Sequence, residues 1–332
     1  MPFFTQMRQV SDAPRVERLL MTSSYVPVTT VGASGLRVSR IGVGCSRFGT
    51  DLAEDDARAI VDAAFDAGIT FFDTADSYGG GASERVLGRA LAGRRDESVV
   101  ATKFRHAGPV PGAGRKSVRV AVDNSLRRLG CEYIDLYQVH APDPATPVEE
   151  TLDALQDLVR QGKILYYGLC NVRSWQVVEA QLLARAMGGP PLTAVQAQLN
   201  LVERARLDDL GQVAKRYGVG LLAASPLARG LLGGSYDRDT PPPRAHPLLT
   251  RKGVGYWGTS GLDTLERVRE VAAALGQSPA RTALGALLAR AEGAVALIGG
   301  SSAAQVRDAA GTDPAALADS DVRYLFGQSD RR

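Results

Sequence analysis

Short apolar runs alternate along the chain with longer segments in which apolar residues recur with a helical period. Eight of the runs have the length of a buried strand, and most are apolar on both faces, as in parallel strands covered by helices. They span residues 41–45, 69–74, 98–104, 133–140, 164–170, 194–199, 219–224 and 294–298. The pattern therefore predicts eight buried parallel strands.

The segments between these runs predict helices. They span residues 54–67, 83–92, 116–129, 147–160, 174–186, 207–217 and, as one longer helical region, 263–290. Ser83 is expected to cap the second helix and Thr146 the fourth, with Pro147 at the first helical position. From the first strand to the seventh, strand centres lie about 26 to 36 residues apart, which is the length of one strand-plus-helix unit.

Eight such units predict an α/β fold with a single closed (β/α)₈ TIM barrel. A doubly wound sheet usually uses about five to seven strands and often divides into two domains. A hairpin over residues 28–38, which include Gly32 and Gly35, is expected to close the bottom of the barrel. A long, proline-rich loop over residues 233–258 is expected after strand seven, where long loops are often functional.

Three regions follow from this division of the chain. Residues 1–24 show no convincing period and are expected to form an N-terminal extension. Residues 25–312 are expected to form the barrel, and residues 313–332 a short C-terminal tail.

Composition and charge exclude several classes of protein. The 39 Lys+Arg and 36 Asp+Glu give a formal net charge of +3, without a block of like charges, which argues against binding to nucleic acid or a membrane surface. No apolar run reaches the roughly 20 residues of a membrane span, and the first residues lack a signal-peptide core. A cytoplasmic location is therefore expected. The oligomeric state stays open.

Cysteine usage argues against structural crosslinks and metal. Cys45, Cys131 and Cys170 are far apart and form no CxxC pair. Neither a disulfide framework nor a zinc cluster is expected.

Four ionisable residues lie where predicted strands end. Asp73 and Tyr78 follow strand two, Lys103 ends strand three and His140 ends strand four. Each alone is compatible with an ordinary structural role. Because the active sites of such barrels lie at the carboxyl ends of the strands, we expect the four side chains to converge at one mouth.

These residue types suit one reaction. A buried lysine ammonium would lower the pKa of a tyrosine hydroxyl from about 10 and make Tyr78 a usable general acid. Asp73 would keep Lys103 charged, and His140 would donate a hydrogen bond to the substrate oxygen. No member of the set suits covalent attack, so the expected partner is a hydride from a nicotinamide cofactor.

Sequence strings around these residues resemble the aldo-keto reductase superfamily. They are DTADSYG at 73–79, ATK at 101–103, DLYQVH at 135–140, GKI at 162–164, YGLCN at 167–171, VQ at 195–196 with Asn200, SPL at 225–227 and GLL at 230–232. The resemblance covers residues 36 to 310 and is nearest to potassium-channel β-subunit-like and aryl-alcohol dehydrogenase-like members. It implies a (β/α)₈ barrel, a tetrad of Asp73, Tyr78, Lys103 and His140, and NAD(P)H-dependent reduction of a carbonyl group.

The usual dinucleotide motifs are absent. The string GVGCSR at 42–47 has Arg47 where a Rossmann fingerprint needs its third glycine, and no phosphate-binding P-loop is present. In a barrel, phosphates can instead bind the last two loops and a following helix N-terminus. Here the last strand runs into Gly300, Ser301 and Ser302, followed by a predicted helix.

The resemblance implies further cofactor contacts. Asn171 and Gln196 would hold the nicotinamide carboxamide, with Cys170 alongside. Ser225 and Leu227 would contact the pyrophosphate, and Gln305 and Asp308 the adenosine. The chain departs from the family pattern at Cys170, Ala224 and Ala309, where serine, an aromatic residue and asparagine are usual. Cys170 is expected to weaken one polar contact, and Ala224 to leave the nicotinamide site more open or filled by another residue.

The choice between NADPH and NADH depends on a cation near the 2′-phosphate. Arg244 and Arg229 are the two candidates, whereas Ser302 stands where many members have arginine. NADPH is the expected cofactor, with NADH as the alternative.

The expected substrate is a small aldehyde or ketone. Arg47, Phe48, Tyr256 and Trp257 are the candidate pocket walls, and a cation at Arg47 would favour an anionic or heavily hydroxylated substrate. Two alternatives use the same site: an NAD-linked sugar or alcohol dehydrogenase, and a cofactor-binding regulatory subunit with little turnover.

Overall fold

The computed structural model describes residues 26–107, 110–236, 238–242 and 256–328. Within these ranges, eight parallel strands close into a barrel and a two-stranded antiparallel sheet lies beside it. The two-stranded sheet contains β1 (Val28–Thr30) and β2 (Arg37–Ser39). The barrel contains β3 (Ile41–Gly44), β4 (Phe71–Asp73), β5 (Val99–Phe104), β6 (Ile134–Val139), β7 (Ile164–Cys170), β8 (Ala194–Gln198), β9 (Gly220–Ala224) and β10 (Val295–Gly299). The predicted (β/α)₈ barrel and its N-terminal hairpin are confirmed.

Helices surround the barrel and follow the predicted order. They are α1 (Glu54–Asp66), α2 (Ala82–Ala90), α3 (Arg115–Leu129), α4 (Val148–Arg160), α5 (Ser174–Ala186), α6 (Arg204–Tyr217), α7 (Thr259–Leu275), α8 (Pro279–Arg290), α9 (Ala303–Ala310) and α10 (Asp319–Leu325). Among the helices described, none is long and apolar enough to cross a bilayer. Of the long loop predicted after strand seven, residues 237 and 243–255 lie outside the described ranges.

The single helical region predicted over residues 263–290 is wrong. Gly276, at φ 63°, ends α7 in the left-handed conformation that favours glycine. The Ser278 hydroxyl then caps α8 by accepting a hydrogen bond from the Arg281 N–H at 3.2 Å, and Pro279 takes the first helical position. These local signals divide the region into two helices.

Two predicted helix caps are also wrong because both hydroxyls have other partners. Ser83 lies inside α2, where its hydroxyl donates to the Cys45 carbonyl at 2.6 Å. The Thr146 hydroxyl donates to the Asp143 carboxylate at 2.8 Å, and α4 begins after Pro147 without a side-chain cap.

Side chains of the barrel strands alternate between two cores, as expected from the period of two in a strand. The inner core fills the lower barrel with Val31, Leu36, Val38, Phe71, Ala101, Leu136, Ala194, Leu222, Val295 and Leu297. The outer core joins the strands to the helices. The hairpin supplies three inner-core residues, and the Ala33 N–H donates to the Gly218 carbonyl at 2.8 Å next to the start of β9. The hairpin thus closes the lower end of the barrel.

The C-terminal residues pack against the barrel helices. Leu325 and Phe326 are buried, and Arg204 donates to the Phe326 carbonyl at 2.7 Å. The stretch predicted as a short tail therefore includes the packed helix α10, while the proposed domain boundaries stay a prediction.

A buried ion pair ties α2 to α3 behind β5. The Glu84 carboxylate is fully buried and accepts hydrogen bonds from Arg128 Nε at 2.5 Å and Thr102 Oγ1 at 2.7 Å. Because the Glu84 carboxylate is shielded from water, its negative charge is stabilised by these two donors.

Replacing Arg128 with alanine is expected to lower the free energy of unfolding by about 3 kcal/mol, because Glu84 is then left as an uncompensated buried charge. Urea denaturation measures the change. The control is Arg89→Ala, which breaks an exposed ion pair with Glu54 at 2.6 Å and should have a much smaller effect. Equal losses of unfolding free energy in the two variants would show that the buried ion pair contributes no more stability than the exposed one.

Candidate active site

The four predicted catalytic side chains come together at the carboxyl end of the barrel. Asp73 ends β4, Lys103 is the fifth residue of β5, and His140 directly follows β6; Tyr78 begins a short 3₁₀ turn. Lys103 Nζ lies 2.5 Å from Asp73 Oδ2 and 3.5 Å from Tyr78 Oη. The Tyr78 and His140 rings meet edge to face, with centroids 5.7 Å apart.

The Lys103 ammonium uses all three of its donors. It donates to Asp73 Oδ2, to the Thr74 carbonyl at 2.8 Å and to Tyr78 Oη. Burial alone would lower the pKa of Lys103, but the charge and hydrogen bond of Asp73, together with Tyr78 and Cys170, outweigh burial and raise the pKa above its usual value. Lys103 therefore carries a fixed positive charge within reach of the tyrosine hydroxyl.

The second oxygen of Asp73 binds two glutamine amides. Asp73 Oδ1 accepts a hydrogen bond from Gln196 Nε2 at 2.9 Å and from Gln138 Nε2 at 3.4 Å. Gln196 is predicted above to bind the carboxamide, and here its amide contacts the tetrad. Sequence reasoning missed Gln138, although strand alternation places it on the same inward face as Leu136 and pairs it in register with Lys103.

The protonation state of Tyr78 differs from the expectation. Burial raises the pKa of Tyr78 above its usual value, because desolvation of the phenolate outweighs the favourable charge of Lys103. The predicted lowering of the pKa is therefore wrong for this structure. The hydroxyl keeps its proton at neutral pH, which is the state that a proton donor requires.

His140 is a neutral imidazole. Burial, followed by the charges of Lys103 and Arg105 and by the neighbouring His106, lowers the pKa of His140 to about 3. Its Nδ1 lies 3.5 Å from Ser77 Oγ. The exposed His106 ring stands 5.1 Å from the His140 ring; sequence reasoning gave it no role because it lies beyond the end of its strand.

Strained backbone marks the loops at the same end of the barrel. Five non-glycine residues of the described chain have positive φ angles: Arg105, Asn171, Ser225, Ala228 and Arg229. All five follow the carboxyl ends of β5, β7 or β9. Such conformations persist only where the surroundings impose them, and they concentrate at functional sites.

The residues predicted to hold the nicotinamide surround the tetrad. Asn171 is exposed and donates from Nδ2 to the His140 carbonyl at 2.9 Å. Cys170 is buried, and its Sγ lies 3.5 Å from Gln138 Oε1. Burial raises the pKa of the Cys170 thiol, so it stays protonated and can donate.

The loop after β9 contains the residues predicted to contact the pyrophosphate. Ser225 and Leu227 precede a 3₁₀ turn over Ala228–Gly233 that includes Arg229. Successive left-handed residues can turn backbone N–H groups toward an anion. Arg244, the predicted contact of the 2′-phosphate, lies outside the described residues.

The predicted phosphate loop after β10 has a cation beside it. The Ser302 hydroxyl caps α9 by accepting from the Gln305 N–H at 3.3 Å. Gly300 packs so closely that a Cβ there would lie 2.8 Å from Val43 Cγ1. Arg47 Nη1 donates to Ser301 Oγ at 2.9 Å, which places this guanidinium at the phosphate loop as well as near the predicted substrate pocket.

Asp308 is engaged elsewhere. One carboxylate oxygen accepts a hydrogen bond from Ser278 Oγ at 2.6 Å and the other lies 3.0 Å from Arg281 Nε, both at the start of α8. Its predicted role at the adenosine stays a prediction. Gln305 is exposed near the start of α9, where that role stays a prediction.

Two of the predicted pocket walls do not line an open pocket. Phe48 is fully buried in the outer core, and Tyr256 is buried with its hydroxyl 3.1 Å from Asn200 Nδ2. Both aromatic rings pack the interior because their apolar surface is large. Trp257 is partly exposed and stands edge to face against Tyr236 at 6.1 Å.

The described part of the chain contains no group of three or more His, Cys, Asp or Glu residues that could hold a metal ion.

Comparison with known proteins identifies the family of the chain. The sequence model of the Aldo/keto reductase family matches residues 40–326. A "Probable aldo-keto reductase 1" of Glycine max is 31% identical over 321 residues, which cover 92% of this chain and 90% of that protein. An "Uncharacterized oxidoreductase YrpG" of Bacillus subtilis (strain 168) is 35% identical over 295 residues, which cover 84% and 89% of the two chains.

A "Probable voltage-gated potassium channel subunit beta" of Oryza sativa subsp. japonica is 36% identical over 220 residues, which cover 64% of this chain and 67% of that protein. Together with the match over the barrel, these similarities show that the chain belongs to the aldo/keto reductase family. Its class is that of an oxidoreductase acting on small molecules with a nicotinamide cofactor.

The lowered pKa of His140 makes stability depend on pH. Between about pH 3 and pH 6.5 the unfolded chain binds more protons at this residue than the folded chain. The contribution of His140 to the free energy of unfolding is therefore full above pH 6.5 and is lost as the pH falls, by at most about 1.4 kcal/mol per pH unit. The His140→Asn variant should lose less stability than the wild type over this range.

Urea denaturation at a series of pH values measures that difference. Comparison with the variant is needed because burial raises the pKa of Asp76 to about 6, which acts in the opposite direction. The exposed His106 serves as control, and His106→Asn should change the slope less. Parallel stability curves for wild type and His140→Asn would contradict the assignment of a buried neutral imidazole.

Proposed function

We propose that this protein reduces an aldehyde or ketone to the alcohol with NADPH and that Tyr78 is the general acid. The observation that carries the proposal is the buried ion pair of Asp73 and Lys103 against the protonated Tyr78 hydroxyl, in the open end of an aldo/keto reductase barrel. A small-molecule carbonyl substrate and a cytoplasmic location are part of the proposal.

The described residues fit a nicotinamide dinucleotide. Asn171 and Gln196 offer amide groups beside the tetrad, and the turn of Ser301 and Ser302 offers hydroxyls and the N-terminus of α9. Arg47 adds a guanidinium, which suits phosphate because it can donate two parallel hydrogen bonds. When bound, the cofactor would supply a hydride to the carbonyl carbon.

Tyr78 would transfer its Oη proton to the carbonyl oxygen of the substrate. The resulting phenolate would lie 3.5 Å from the Lys103 ammonium, which stabilises the negative charge when it develops and not before. Asp73 keeps that ammonium in place. A pKa raised by burial favours the proton-bearing state of Tyr78, while Lys103 lowers the free energy of the state after transfer.

His140 would orient the carbonyl. A Ser77 hydroxyl that donates to Nδ1 leaves the proton of the neutral ring on Nε2. That N–H can then donate a hydrogen bond to the substrate oxygen. Because the ring is neutral, it polarises the carbonyl without competing with Tyr78 as the acid.

Replacing Tyr78 with phenylalanine is expected to lower kcat by about 10²-fold or more, since a positioned proton donor raises the rate by about that factor. Consumption of NADPH with a panel of aldehydes and ketones measures turnover. Cofactor affinity, followed by quenching of protein fluorescence, should be unchanged. Full turnover in Tyr78→Phe would exclude this residue as the acid, and tight cofactor binding without turnover in the wild type would favour the regulatory-subunit alternative.

The preference for NADPH is assigned to cations near the 2′-phosphate, with Arg244, Arg229 and Arg47 as candidates. We expect Arg244→Ala to weaken NADPH binding roughly tenfold, the effect of losing one charge-assisted hydrogen bond, and to leave NADH binding unchanged. Titration with both cofactors measures the effect, and Arg47→Ala tests the cation beside Ser301 in the same way. Arg238→Ala is the control, because that guanidinium pairs with Asp263 and Glu266 on the surface.

An unchanged NADPH affinity in Arg244→Ala would remove Arg244 from the site. Equal losses for the two cofactors would place the guanidinium at the pyrophosphate, which both contain.

A further inference from the structure

The Asp73 carboxylate is anchored at both of its oxygens. Oδ2 binds Lys103, and Oδ1 is shared by the amides of Gln196 and Gln138. A carboxylate held at only one oxygen can rotate about its last side-chain bond. Two amide donors at Oδ1 prevent that rotation, so they fix the direction in which Asp73 holds Lys103.

The two glutamines differ in what else they can reach. Gln196 is the middle residue of β8 and its carbonyl accepts a hydrogen bond from the Asn171 N–H at 2.9 Å, so a nicotinamide bound at Asn171 would compete for the Gln196 side chain. Gln138 is fully buried inside the barrel on β6. It has no access to solvent, so we expect it to keep its contact with Asp73 when a bound cofactor occupies Gln196.

Gln138 is closely packed inside the barrel. Gly168 lies opposite it in the strand register, and a Cβ on Gly168 would lie 2.8 Å from the Ala194 carbonyl oxygen and 3.3 Å from Gln138 Cγ and Oε1. The Oε1 atom lies 3.5 Å from Cys170 Sγ, whose protonated thiol can donate to it. This contact orients the amide, since Oε1 faces the thiol and Nε2 faces the carboxylate.

We propose that Gln138 is a positioning residue of the active site, which holds the Asp73 carboxylate in the orientation that places Lys103 against Tyr78. The inference rests on the function proposed above. Gln138 contacts neither Tyr78 nor any atom expected to react. It acts through Asp73 and Lys103, with Cys170 fixing its own amide.

The Gln138→Leu variant removes the donor at nearly constant volume. Asp73 can then rotate and carry the Lys103 ammonium away from Tyr78 Oη, which disfavours a phenolate at Tyr78. We expect kcat to fall about tenfold, as for the loss of one hydrogen bond to a charged group, with the KM for NADPH changed by less than about threefold. The titration of Tyr78 should move upward by about one pH unit.

The control is Gln156→Leu. Gln156 is equally buried, but it lies on α4 and donates to the Ala184 and Pro190 carbonyls at 3.3 and 3.4 Å. The Gln156→Leu variant should lose about as much stability as Gln138→Leu but keep the kcat and the Tyr78 titration of the wild type. Since the chain has ten tyrosines, the Tyr78 titration is taken as the ultraviolet difference between each variant and the same variant carrying Tyr78→Phe.

The Gln138→Glu variant gives a signature that a structural role would not. The introduced carboxyl donates to Asp73 only when it is protonated, so kcat should recover as the pH falls, whereas Gln138→Leu should show no such recovery. A kcat and a Tyr78 titration in Gln138→Leu equal to those of Gln156→Leu would overturn the inference.

Failure of the proposed reaction would look different. A wild-type protein without turnover would refute carbonyl reduction. The shift of the Tyr78 titration in Gln138→Leu needs no turnover and would still decide whether Gln138 positions the ion pair.

Discussion

The contact between Lys103 and Asp73 is the interaction on which the rest of the site depends. Both side chains are buried, and a charge removed from water is stable only with a partner and with hydrogen bonds to its remaining polar atoms. The residue after β4 and two strands further round the barrel supply those partners: the Thr74 carbonyl for the ammonium, and the Gln138 amide of β6 and the Gln196 amide of β8 for the carboxylate. The result is a fixed positive charge beside a tyrosine that keeps its proton.

The residues that stabilise the barrel and the polar residues of the candidate site lie at opposite ends of the barrel axis. The hairpin and the inner core fill the lower end with apolar side chains. Above this layer, the next inward positions of five strands carry Asp73, Lys103, Gln138, Cys170 and Gln196. The five described non-glycine residues with positive φ all lie beyond this polar layer, in the loops where a cofactor and substrate would bind. Strain and buried polarity are thus concentrated at one end of a well-packed scaffold.

Much of this arrangement could be predicted because it depends on local periodicity. Buried strands, their spacing and the ionisable residues at their ends defined the barrel and the tetrad. The partners of Gln138 could not be predicted, since alternation gives the face of a strand and not the atom across the barrel. The contact between Arg47 and Ser301 needs the closure of β10 onto β3. The raised pKa of Tyr78 depends on burial, and the buried positions of Phe48 and Tyr256 depend on loop packing, so neither could be read from residue type.

Carbonyl reduction at this site is tested most directly by following the transferred hydride. The protein is incubated with an aldehyde and a nicotinamide cofactor that carries deuterium at the transferred position, and the alcohol is analysed by mass spectrometry. We expect one deuterium at the former carbonyl carbon of the alcohol. The Lys103→Met variant, which removes the charge beside Tyr78, should form much less of this product. An alcohol formed without deuterium, or a Lys103→Met variant as active as the wild type, would contradict this mechanism.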